Sequence, residues 1–189
     1  MTRIFRTVPL LIAAALACGG FAASAGAAQL DAGKSAVTAV ARQIGVPMEG
    51  RFKTFSGNLQ FDPARLAASS ARVEIDVGSF EIGDAATTRE VRGRDWFDAA
   101  RFPKAVFEST GIRNGAGGKV EVAGKLTIKG KTVDVVVPAT VRQEGNTQIF
   151  EGILPIRRST FNIGEGEWKD TSVVADEVQI KFRLVAARS

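Results

Sequence analysis

The chain has 189 residues, 45% of them hydrophobic, and a formal net charge of +5, which is enough apolar material for one packed domain. It contains no histidine and a single cysteine, Cys18, so the commonest general base, the usual zinc ligand sets and the Ser-His and Cys-His nucleophile pairs are excluded. The mild positive excess is spread along the chain and includes Arg3 and Arg6 near its start, a pattern that argues against a nucleic-acid-binding surface.

Arg3 and Arg6 precede a short apolar run, Val8 to Ala17, and small residues follow in FAASAGAAQL. This is the three-part pattern of a cleaved secretory signal, and the run is too short to span a bilayer, which takes about 20 apolar residues. Cleavage after Ala27 is expected, leaving residues 28–189 as a single periplasmic domain. Lipidation at Cys18 is disfavoured, because Ala15-Leu16-Ala17 lacks a leucine three positions before the cysteine and the small-residue region continues past it. With the signal removed no cysteine remains for a disulfide.

Eight strands are expected in chain order: Ala36 to Ile44, Gly50 to Phe61, Ala71 to Val77, Ala105 to Asn114, Lys119 to Ile128, Lys131 to Gln143, Thr147 to Arg158 and Asp176 to Ala187. The clearest alternation is KVEVAGKLTIKG, where Val120, Val122, Gly124, Leu126 and Ile128 share one face and Glu121, Lys125, Thr127 and Lys129 the other. In DEVQIKFRLVAA, Val178, Ile180, Phe182 and Leu184 alternate with Gln179, Lys181 and Arg183. Such strands have one wet face and one apolar face. Glycine-bearing turns at Asn114 to Gly118, Lys129 to Lys131 and Glu144 to Asn146 make them consecutive hairpins. An all-β, eight-stranded antiparallel up-and-down barrel follows, because closure removes the exposed edges of an open meander.

Two stretches break this rhythm. Asp84 is a plausible N-cap before AATTREV, which predicts a short helical insertion near residues 84–98. GRDWFDAARFPKAVFEST, Gly93 to Thr110, then forms an aromatic elbow, and Ser159 to Thr171 a long loop carrying Phe161, Ile163 and Trp168. Large apolar side chains in both breaks suggest that they fold over a barrel opening. The elbow aromatics either plug the barrel end as core or wall a cavity, since a barrel of this size either fills with side chains or holds one small ligand.

The candidate ligand-contacting residues are Phe52, Phe55, Leu59, Trp96, Phe97, Phe102, Phe107, Leu126, Ile128, Ile156, Phe161 and Trp168, with Arg157 and Arg158 as partners for a polar head group. Arg89, Arg92 and Arg94 read as a solvated face. Asp95 with Asp98, or Glu165 with Glu167, would be needed for carboxylate catalysis, and neither pair sits in a supporting motif. Gly164-Glu165-Gly166 is not a phosphate loop, because no strand-to-helix pattern surrounds it. A membrane-embedded barrel is disfavoured by zero tyrosine and two tryptophans, too few for interfacial girdles.

Taken in order, FSGNLQFDP, RVEIDVGSF, RGRDWFDAARFPKAVFEST, VAGKLTIKGKT, RRSTFNIG and VADEVQIKF resemble the YceI family across the whole of the expected domain. The resemblance implies an extended lipocalin-like barrel in exported bacterial proteins, holding a long apolar molecule such as a polyisoprenoid, an isoprenoid quinone or a fatty amide. It implies no enzymatic activity, no metal, no cofactor besides such a lipid, no stable membrane insertion, and a monomer or homodimer. The family's aromatic-Asp-x-x-x-aromatic-Pro signature corresponds to Phe97, Asp98, Phe102 and Pro103, and its Arg-Ser-x-Phe signature to Arg158, Ser159 and Phe161. Many members carry a histidine after the first strand, where this chain has Gln43-Ile44-Gly45-Val46-Pro47. The rival expectation is a periplasmic interaction or stress-response scaffold with an incidental cavity.

Overall fold

The structure is a computed structural model that describes residues 27–188; the expected signal segment, apart from Ala27, lies outside them. Eleven antiparallel strands form one curled sheet: β1 (Ala28–Gln29), β2 (Ala36–Gln43), β3 (Val46–Phe52), β4 (Phe55–Gln60), β5 (Ser70–Asp76), β6 (Phe80–Ile82), β7 (Lys104–Asn114), β8 (Val120–Ile128), β9 (Lys131–Glu144), β10 (Thr147–Arg157) and β11 (Glu177–Ala187). Their hydrogen-bonded order is β1-β4-β5-β7-β8-β9-β10-β11-β2-β3-β6.

This corrects the expectation of eight strands in a closed up-and-down barrel: the sheet is a half-barrel whose order runs openly from β1 to β6. All eight expected strands form, but the stretch Gly50 to Phe61 is split into the end of β3 and all of β4, and the short β1 and β6 are added. The split has a local cause. Between Phe52 and Phe55 the backbone leaves the ladder to bond with the turn after β5: Lys53 N–H donates to the Ser79 carbonyl (3.3 Å), Thr54 N–H to Ser79 Oγ (3.0 Å), and Asp76 N–H to the Thr54 carbonyl (2.9 Å). From there β3 pairs with β2 and β6, whereas β4 pairs with β1 and β5.

The β2–β11 ladder joins the two ends of the described chain, with Val37 opposite Phe182 and Ala39 opposite Ile180. At the other edge, Leu30, just after β1, bridges to Ala186 on β11, and Asp31 N–H donates to the Val185 carbonyl at 2.8 Å. The curl therefore brings the β1–β4 edge back against β11. Inward residues form two adjoining apolar clusters, one containing Phe52, Phe55, Leu59, Phe61 and Phe150, the other Trp96, Leu126, Ile156, Phe161 and Ile163. The outer face carries exposed ion pairs, Arg72 with Glu74 along β5 and, across strands, Arg72 with Glu108, Lys125 with Asp134 and Arg142 with Glu151, each contributing at most about 1 kcal/mol.

One α-helix forms where the polar insertion is expected: α1 (Ala85–Arg92). Asp84 caps it, its carboxylate accepting from the Ala86 N–H (2.7 Å), the Thr87 N–H (2.9 Å) and the Thr87 hydroxyl (3.1 Å). Gly93 ends it, and the elbow then turns tightly, with Phe97 N–H bonded to the Val91 carbonyl and Phe102 N–H to the Asp98 carbonyl. No helix among the described residues is long and apolar enough to cross a membrane.

Candidate ligand cavity

The concave face of the sheet encloses a cavity of about 530 Å³. Its wall comes from nearly every strand and is almost wholly apolar. Apart from Arg158, the polar exceptions gather at two ends: Gln43 at the end of β2 with Thr87 and Glu90 on α1, and, at the far end, Gln60 with its cross-strand partner Ser70.

The described residues hold ten phenylalanines, and glycines explain why their rings do not fill the interior. A Cβ on Gly124 would lie 2.6 Å from two ring atoms of Phe107, and one on Gly152 2.5 Å from the Phe182 ring; the Phe80 ring occupies the same place over Gly50. Each ring lies flat on a neighbouring strand where a side chain is missing, so it paves the wall and leaves the lumen open. Gly124 stands on the inward face of the clearest alternation in the chain, and that glycine among inward apolar residues is a sequence signal for a seat of this kind.

Of the residues expected to touch a ligand, Phe52, Leu59, Trp96, Phe97 and Phe107 lie on the cavity wall, as do Leu126, Ile128, Ile156, Arg158 and Trp168. Four do not. Phe55 and Phe161 are buried in the clusters behind the wall, Phe102 packs on Gly130 beneath the Arg101 guanidinium, and Arg157 is exposed on the outer face of β10. The elbow thus divides: Trp96, Phe97 and Phe107 pave the cavity while Phe102 fastens the β8–β9 turn. Lining residues that the sequence reading missed include Val37, Ala39, Val122, Ile180, Phe182 and Leu184. All stand on the inward phase of expected strands, so alternation alone would have found them.

Arg158 differs from its expected role. It is only 2% exposed, and all five guanidinium N–H groups point at backbone carbonyls: Nε at Ala175 (3.2 Å), one terminal nitrogen at Ile163 and Gly164 (both 3.0 Å), the other at Trp168 (2.8 Å) and Val174 (2.7 Å). Its charge also stacks on the Trp96 indole, 5.7 Å from the ring centre. Burial pushes its pKa below the ordinary arginine value, opposed by the nearby charge of Asp176. Arg158 therefore winds the late loop around itself and keeps no donor for a head group. Ser159 N–H donates to Asp176 Oδ1 (3.0 Å), which ties the same corner to the start of β11.

The mouth lies beside α1, where lining residues Gln43, Ala86 and Glu90 are exposed. Trp168 reaches across to the helix, its Nε1–H donating to Glu90 Oε1 at 3.2 Å, and its ring packs 5.5 Å from Trp96. Trp96 Nε1 itself is buried with no hydrogen-bond partner. The acidic side chains considered for catalysis serve other ends: Asp98 pairs with Arg101 (3.4 Å), and Glu165 with Lys129 (3.2 Å), whose amine also binds the carbonyls of Arg94 and Asn162. Among the described residues no three His, Cys, Asp or Glu side chains cluster as a metal site.

The crystal structure of Burkholderia cenocepacia BcnA matches this fold with a TM-score of 0.82 at 57% identity, covering 84% of this chain and 99% of that one. A polyisoprenoid binding domain from Saccharophagus degradans, implicated in plant cell wall breakdown, matches at TM-score 0.68 over 87% of this chain and 99% of its own; at 19% identity it shows the fold alone. The UPF0312 protein of Vibrio cholerae is 37% identical over 92 residues, so the chain spans about half the length of the curated relatives it matches. The YceI-like domain pattern itself covers residues 29–186, from within β1 to one residue short of the end of β11, and takes in β2 to β10, the elbow and the Arg158 corner. The chain belongs to the YceI-like domain family.

Proposed function

We propose that this protein is an exported, periplasmic carrier that holds one long apolar molecule, of the polyisoprenoid, isoprenoid-quinone or fatty-amide class, inside the curled sheet and catalyses no reaction on it. The observation that carries this reading is the cavity of about 530 Å³ with an almost wholly apolar wall, a size typical of small-molecule sites. Moving a ten-carbon stretch from water into it gains about 8 kcal/mol gross, enough to offset much of the cost of association. The fold that this domain shares with a polyisoprenoid binding domain adds support. The return of β1 to β11 through the Leu30–Ala186 bridge supports treating the half-barrel as a lipocalin-like container in function. Export rests on the N-terminal pattern, with Ala28 as the expected new N-terminus.

Native mass spectrometry and organic extraction of protein purified from its own periplasm test the reading, with N-terminal sequencing of the same sample. An extra mass that extracts as an apolar lipid is the expected result. Protein that carries no lipid and takes none up from vesicles would rule the carrier out.

A further inference from the structure

The β2–β3 hairpin ends in Ile44-Gly45-Val46-Pro47, and its apolar tip has no explanation within the fold. Ile44 is 75% exposed and Val46 60% exposed, the two most exposed large hydrophobic side chains among the described residues, and Val173, a third, is joined to the tip by the Ile44 N–H to Val173 carbonyl bond of 2.8 Å. Ile44 also adopts φ +48°, a left-handed conformation unfavourable for a β-branched side chain and normally filled by Asn, Asp or Gly in such a turn. The chain solves the same problem differently elsewhere. In the β8–β9 turn the residue at φ +47° is Lys129, whose amine makes hydrogen bonds that reward its position. Ile44 gains no such contact and bears both conformational strain and exposure.

The tip is held firmly. Besides the bond to Val173, Ala175 N–H donates to the Arg42 carbonyl, and Gln43 bridges to Val174, so the hairpin end and the late loop form one platform. It is also contiguous with the cavity, because Ala41, Gln43 and Met48 of the same hairpin line it. Residues 42–48 contain no acid, and the exposed Arg42, whose guanidinium bonds only the Gly45 carbonyl at 3.2 Å, has no carboxylate partner among the described residues. An apolar tip edged by an unpaired cation is complementary to a bilayer surface, where the aliphatic groups enter the acyl boundary and the arginine meets lipid phosphate.

We propose that the β2–β3 tip is a bilayer-docking element that seats the cavity mouth on a lipid surface. This rests on the carrier reading for its purpose, though the docking step is separately measurable. The test is co-sedimentation of the full protein with sucrose-loaded vesicles of phosphatidylethanolamine and phosphatidylglycerol, compared with Ile44→Asn and Ile44→Asn/Val46→Thr. Asparagine tolerates the left-handed turn, so these variants keep the fold, which circular dichroism checks. Vesicle affinity is expected to fall at least about tenfold in the double variant, given the aliphatic surface removed. Transfer of a fluorescent geranylgeraniol from vesicles should slow in step, with its equilibrium uptake from solution unchanged.

Wild-type protein that does not sediment with vesicles, or variants that sediment equally, would overturn docking. So would a concentration-dependent self-association that Ile44→Asn abolishes, since the tip would then be an interface between copies of this chain. Vesicle binding that depends on the tip in a protein that takes up no geranylgeraniol would uphold docking while refuting the carrier.

Discussion

Replacing Arg158 by leucine should cost the fold about 4 kcal/mol. Five charge-assisted bonds from the guanidinium to the carbonyls of Ile163, Gly164, Trp168, Val174 and Ala175 would be lost. Each is worth about 1.5–3 kcal/mol, and the sum is offset by the several kcal/mol spent desolvating the cation. Removing one partner of such a buried network typically costs about 3–5 kcal/mol, because the carbonyls left behind cannot all find water. Arg158→Lys keeps the charge but has three donors on one atom for five acceptors, and should recover about half of the loss. Urea unfolding followed by tryptophan fluorescence measures both variants, and the signal is clean because the chain has no tyrosine and both Trp96 and Trp168 adjoin the arginine. Hydrogen exchange should place the loosening in residues 163–176. A leucine variant within about 1 kcal/mol of wild type, with weakened ligand binding, would refute the argument and return Arg158 to a head-group role.

Gly124→Ala should destabilise the fold by about 1–3 kcal/mol and reduce lipid uptake, because the new Cβ displaces the Phe107 ring into the lumen; a thermal melt and an uptake assay read the two effects. Val122→Phe places a ring in the lumen from the inward face of β8 and should abolish uptake of a long-chain lipid with little change in melting temperature. Asp84 is held below its ordinary pKa of 3.8 by hydrogen bonds from the Thr87 and Ala86 amides and the Thr87 hydroxyl. A carboxyl whose pKa is depressed on folding stabilises the fold above its unfolded value and loses that contribution as pH falls through the folded one. Amide exchange in α1 should therefore accelerate as pH drops below 3.8, relative to β8 and β9, and Asp84→Asn should abolish that pH dependence.

The strands were legible because most have one wet face, and the period of two survives wherever the inner face is uniformly apolar. The division of β3 from β4 was legible in principle. Met48, Gly50 and Phe52 face inward on even positions and Phe55, Leu59 and Phe61 on odd ones, so the phase of alternation flips between Phe52 and Phe55, which no unbroken strand allows. In β10 the same alternation continues through Leu154 and Ile156 to Arg158, which marks Arg158 as inward and Arg157 as outward. What alternation could not convey is the late loop. Its carbonyls reach Arg158 from 5 to 17 residues away, and only the folded path turns an inward charge from an anchor for a ligand into an anchor for the chain. The aromatic elbow was ambiguous for a related reason: Phe97 and Phe102 share composition and neighbourhood, and a glycine on another hairpin, Gly130, decides which of them faces the lumen.

The distribution of polar groups bears on what an occupant of the cavity can be. A polar head placed midway along the wall would lose its water without gaining hydrogen bonds, at a cost of several kcal/mol. Hydrogen-bonding side chains with free groups lie at the two ends, joined only by the unpartnered Trp96 Nε1–H beside Trp168, and the buried Arg158 cation has no free donor. The acidic Glu90 at that mouth further disfavours an anionic head. Discrimination would then come from the length and girth of the apolar chain, set by where Phe80, Phe107 and Phe182 lie on their glycines, with the head group left near water at Gln43 and Glu90. This is why molecules with unlike heads, an isoprenoid alcohol, a quinone or an amide, fit one proposal: the wall distinguishes what they share.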